Sequence, residues 1–171
     1  MPISMSSASL PIFKAMLGNL IHILDKGLAH AEARKFDPAN LLTARLAPDM
    51  LPLTKQVQIA CDMAKHAVAR ISGTEAPRFE DNEASFAELK TRIQKTLDWM
   101  ATVPPEKLDG TEDKELTIPI GREATRVMKA EAYLKHSALP NFFFHVTTAY
   151  AILRHNGVDL GKADYLAGAA R

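Results

Sequence analysis

The stretch from Glu131 to Gly157, EAYLKHSALPNFFFHVTTAYAILRHNG, limits the fold more than any other part of the chain. Its apolar and aromatic residues recur at helical rather than strand spacing. At about 100° per residue, Ala138, Val146, Ala149 and Leu153 fall within about 40° of Phe142 and form one core stripe. Leu139, Phe143 and Tyr150 widen it on one side. Asn141 and His145, one turn apart, lie together on the other shoulder with Ile152, so a polar pair sits beside the core. Pro140 has no N–H and crowds the turn before it, so the helix is expected to kink or restart there.

The rest of the chain supplies partners for such a helix. Leu10 to Ala33 carries Phe13, Met16, Leu17, Leu20, Leu24, Leu28 and Ala31 at helical spacing, with His22 projecting away from the stripe and His30 at its edge. The next segment has three prolines and no sustained period, and reads as a connection. A second long helix, Leu53 to Ser72, presents Val57, Ala60, Cys61, Ala64, Val68 and Ile71 on one face and ends at Gly73. Gln58 and Asp62 stand on the shoulder of that face, and His66 points away from it. A third runs from about Glu83 to Met100 on Phe86, Leu89, Ile93 and Leu97, with Glu88 and Arg92 expected to pair across an exposed turn.

Glu115 to Ile120 and Glu123 to Met128, separated by Gly121, read as a short hairpin or a pair of extended arms. Pro119 limits its pairing. The tail after Gly157 reads as an extended arm folding back on the bundle or onto a second copy of it.

The chain's 171 residues, 47% hydrophobic and 24% charged, suit one domain spanning 1–171 with a real core. Twenty-one Lys and Arg against 20 Asp and Glu, with no basic block, argue against a nucleic-acid partner. A single cysteine, Cys61, excludes an internal disulfide and a four-thiolate zinc site, and suits the cytoplasm. No apolar run approaches the ~18 residues of a membrane span. The N-terminus lacks the pattern of a signal peptide. Gly-rich phosphate loops, G-x-S-x-G and H-E-x-x-H are absent from the sequence. A site must therefore come from side chains that the bundle brings together. Gln58 or Asp62 from one helix and Asn141 and His145 from another suit either a metal site or a hydrogen-bonded polar cluster.

The segments APDMLPLTKQVQIACDMAK, PRFEDNEASFAELKTRIQKTLDW, ELTIPIG and HSALPNFFFHVTTAYAILRHNGVDLGKADYL resemble a bacterial and fungal family of the DinB/YfiT-like superfamily of metalloenzymes. The likeness covers nearly the whole chain. It implies an all-α four-helix bundle of up-down-down-up order with a long crossover. It also implies a divalent metal, zinc or nickel, held by one histidine of the second helix and by an H-x-x-x-H pair of a later one. His145 matches the second histidine of that pair and Asn141 falls on the first. The second helix offers Gln58, Cys61 and Asp62 in place of its histidine, so two of three ligands are weaker donors. The implied activities are thiol-dependent transfer or isomerisation, with a homodimer as the assembly. The alternative is a non-catalytic homodimeric bundle that binds a small apolar molecule, or has a structural or stress-related role, with Phe142, Phe143, Phe144 and Tyr150 as a pocket or interface.

Overall fold

A computed structural model describes residues 3–121 and 123–168. Four long helices carry the core: α1 (Leu10–Arg34), α3 (Leu53–Ser72), α4 (Phe86–Ala101) and α6 (Leu139–His155), with a single turn, α2 (Ala39–Leu42), inside the proline-rich connection. Their apolar stripes merge into one buried cluster, from Phe13, Leu17 and Leu20 through Val57, Ala64 and Val68 to Leu89, Ile93, Phe142 and Val146. The small residues Ala60, Cys61, Ala64 and Ala67 let α3 approach α6 closely. Gly27 of α1 does the same job, since a Cβ there would stand 3.1 Å from Leu153.

Local chemistry sets the ends. α3 stops at Gly73, whose φ of +72° is the left-handed cap. α4 begins at Phe86 rather than Glu83, because Ser85 and Glu88 form a reciprocal cap. The Ser85 Oγ accepts from the Glu88 N–H at 3.2 Å, and the Glu88 carboxylate accepts from the Ala84 N–H at 2.6 Å. Glu88 is therefore spent on the cap and does not pair with Arg92.

β1 (Glu115–Ile120) and β2 (Ala124–Lys129) form an antiparallel hairpin in which Ile118 faces Arg126 and Leu116 faces Met128. The hairpin lies against the bundle through Leu116 and Ile118 and leads directly into α5 (Ala130–Tyr133). A π turn, Leu134–Ala138, joins α5 to α6. The helical path restarts beside Pro140, which stands in the first turn of α6. The Leu139 N–H reaches back five residues to the Leu134 carbonyl, which widens the turn ahead of the proline ring and gives it room in the first turn of α6.

The tail is a short helix, α7 (Lys162–Ala167), packed on α1, rather than an extended arm. Asp164 starts it by accepting from the Gly161 N–H at 2.8 Å, and anchors it by pairing with His22 at 2.8 Å and Lys26 at 3.2 Å. His22 is therefore a half-buried tertiary contact and not a solvated side chain. Among the described residues no helix is long and apolar enough to cross a membrane.

Candidate functional site

Two polar arrangements lie against the buried face of α3, one at each shoulder. The first joins the initial turn of α3 to α6. The Gln56 amide N–H donates to the Leu51 carbonyl at 2.9 Å, which turns its Oε1 toward α6, where His145 Nδ1 stands 2.7 Å away. An amide oxygen can only accept, so Nδ1 carries the imidazole proton and Nε2 keeps its lone pair. No side chain among the described residues bonds to that Nε2. His145 is 9% exposed, and burial holds its pKa below the ordinary value of 6.5. It is thus a neutral imidazole near pH 7, oriented by Gln56 and flanked edge-on by the Phe144 ring at 5.2 Å.

The second arrangement surrounds Arg92 of α4, whose side chain is 2% exposed. Its guanidinium meets Asp62 at 3.1 Å, Asp81 at 3.0 Å and Glu83 at 2.9 Å, and donates to the Glu80 carbonyl at 3.1 Å. Lys65, also buried, adds a second cation 2.9 Å from Asp62 and lies 4.4 Å from the centre of the Phe79 ring, over which Arg92 also sits at 5.6 Å. Gln58 donates to the other oxygen of Glu83 at 2.7 Å. Gln58 Oε1 and Arg92 Nε are buried with no hydrogen-bond partner, so this knot is well paired but not completely satisfied. It fastens the 74–84 segment onto α3 and α4.

The four residues singled out from the sequence therefore sit in three places. Asp62 and Gln58 belong to the Arg92 knot. His145 belongs to Gln56. Asn141 is exposed and donates to the Met63 sulfur at 3.1 Å. No two of the four hydrogen-bond to each other. Among the described residues no three His, Cys, Asp or Glu side chains stand together as a metal-binding group. The donor set does not fit a divalent ion that needs three protein ligands. Asp62 already serves two cations, Asn141 and Gln58 are weak neutral donors, and among the four only His145 offers a free imidazole nitrogen. Cys61 supplies no thiolate, because complete burial pushes its thiol up to about 12.

His66, expected to face solvent, is half-buried, and desolvation with Lys65 beside it lowers its pKa. His30 meets Phe36 edge-on at 5.9 Å. Gln56, Lys65, Phe79, Asp81, Glu83 and Arg92 were not legible as site residues. The one available signal was Arg92 itself, three residues after Leu89 and one before Ile93, a charge set inside an apolar stripe.

This architecture matches the crystal structure of a DinB family member from Shewanella denitrificans with a TM-score of 0.86 and 40% identity, over 94% of this chain and 90% of that one. The molecule is a DinB-like, mostly helical protein. Within that class the chain belongs to the family described as Domain of unknown function (DUF1993), whose model matches residues 5–166. No curated protein matches the sequence.

Proposed function

We propose that this protein is a single-domain bundle of the up-down-down-up kind that functions without zinc or nickel. In this reading it holds a small, largely apolar molecule through one hydrogen bond to His145 Nε2 rather than catalysing thiol transfer. The observation that carries the reading is the Arg92 guanidinium. It neutralises Asp62 from within the fold, so the second-helix carboxylate that would have to replace a histidine ligand already has its cation. A neutral, fixed imidazole with a free lone pair and an aromatic edge beside it is well suited to accept a hydrogen bond from a bound donor.

The test is elemental analysis of untagged protein together with thermal unfolding in added zinc or nickel. Substoichiometric metal and an unchanged midpoint are expected. Stoichiometric metal, or a midpoint that rises with metal concentration as linkage requires for a native-state ligand, would overturn the reading.

A second reading, self-association as a homodimer, is favoured by Phe144, which leaves 55% of its surface exposed on α6 while Phe142 is fully buried. Light scattering at tens of micromolar is expected to give the mass of two chains, and Phe144→Ser the mass of one. A wild-type monomer would discard the dimer.

A further inference from the structure

The hairpin carries a charge on the wrong face. Alternation places Leu116, Ile118 and Ile120 of β1 on the same side as Ala124, Arg126 and Met128 of β2, and this is the side that packs on the helices through Leu116 and Ile118. Toward the hairpin tip that face stands clear of the bundle. There, with the π turn opposite, it bounds a cleft of about 450 Å³ lined by Ile118, Ile120, Arg126, Met128, His136 and Ser137 among others.

Two features separate this cleft from an ordinary solvated surface. Among the described residues no carboxylate lines it. Arg126, His136 and Ser137 also have no hydrogen-bond or ion-pair partner among the described residues. The nearby acid Glu131 is committed to Lys135 instead, at 2.5 Å. A guanidinium fork, a hydroxyl and an imidazole thus line one cleft together with the apolar side chains of Ile118, Ile120 and Met128. The backbone supporting two of them is the π turn, a rare local geometry that recurs at ligand sites.

We propose that this cleft binds a small organic anion, with a carboxylate or phosphate head held by Arg126, Ser137 and His136 and a short apolar tail laid against Ile118, Ile120 and Met128. Arginine binds both heads through paired N–H donors, so the chemistry they share is a planar or tetrahedral oxyanion. The cleft falls within the size range of small-molecule sites. His145 does not line it.

The experiment is an NMR titration of the full chain with hexanoate, hexyl phosphate, hexanol and inorganic phosphate, following signals of Ile118, Ile120, Met128 and Ser137. Saturable shifts are expected from hexanoate or hexyl phosphate, and whichever binds more tightly identifies the head group. Hexanol and inorganic phosphate should each bind about tenfold or more weakly, and Arg126→Gln should weaken the anion by a similar factor. Arg126 is exposed, so its replacement should leave the spectrum outside the cleft unchanged. If the hairpin nevertheless shifts, Ser137→Ala, expected to weaken binding several-fold, decides the matter. Equal binding of hexanol, indifference to the variants, or no saturable shift from either anion would each overturn the proposal.

Discussion

At the scale of single residues, one backbone carbonyl decides a proton. Leu51 fixes the Gln56 amide, Gln56 fixes the His145 tautomer, and the lone pair of Nε2 meets no side chain among the described residues. His145→Ala strands the Gln56 oxygen, so each of His145→Ala and Gln56→Ala is expected to cost about 1–3 kcal/mol. The double variant should cost less than their sum, which a urea-denaturation cycle measures. The pH dependence has a definite sign. His145 and His66 both titrate below 6.5 in the folded state. Their contribution is therefore intact above the unfolded value and is lost as pH falls through the depressed folded values. The urea midpoint should drop as pH falls below the ordinary value of 6.5, and His145→Gln should flatten that drop in part, leaving the share due to His66. Sequence placed His145 beside the core correctly because helical phase is additive along one helix. It could not place Gln56 against it, since that contact depends on how two helices are rotated relative to each other.

At the scale of elements, the segment between α3 and α4 is fastened by charge rather than by apolar burial. Removing Arg92 leaves the buried Glu83 carboxylate with the Gln58 amide and no cation, whereas Asp62 keeps Lys65 and Asp81 is nearly half exposed and contributes little. Arg92→Met is expected to destabilise by about 3–5 kcal/mol in a denaturant titration, and adding Glu83→Gln should recover part of that loss. The small helix α7 depends on Asp164 in a similar way. The Gly161 N–H, with His22 and Lys26, holds that carboxyl well below the ordinary range, so the latch persists into acid. Asp164→Asn should speed amide hydrogen exchange in α7 while leaving α4 unchanged. A run of small and polar residues gave little helical signal at α7, because its stability comes from α1 and not from its own sequence.

At the scale of the whole molecule, the four long helices and the hairpin could be read from periodicity and caps, with α3 matching from Leu53 to Ser72. The expected site could not be read in the same way. The ligand positions implied by the DinB resemblance are local matches along the chain, whereas Arg92 reaches Asp62 from another helix. The π turn ahead of Pro140 has one more consequence. It holds a residue more than an α-helical path of the same span would need, and each residue turns a helix by about 100°. Removing Ser137 alone would therefore close the π turn into an ordinary α turn and leave α5, the hairpin and α6 in about their present phase, whereas removing a second residue would rotate them by about 100°. Family members one residue shorter in this segment should therefore keep the direction of the hairpin, and those two residues shorter should not.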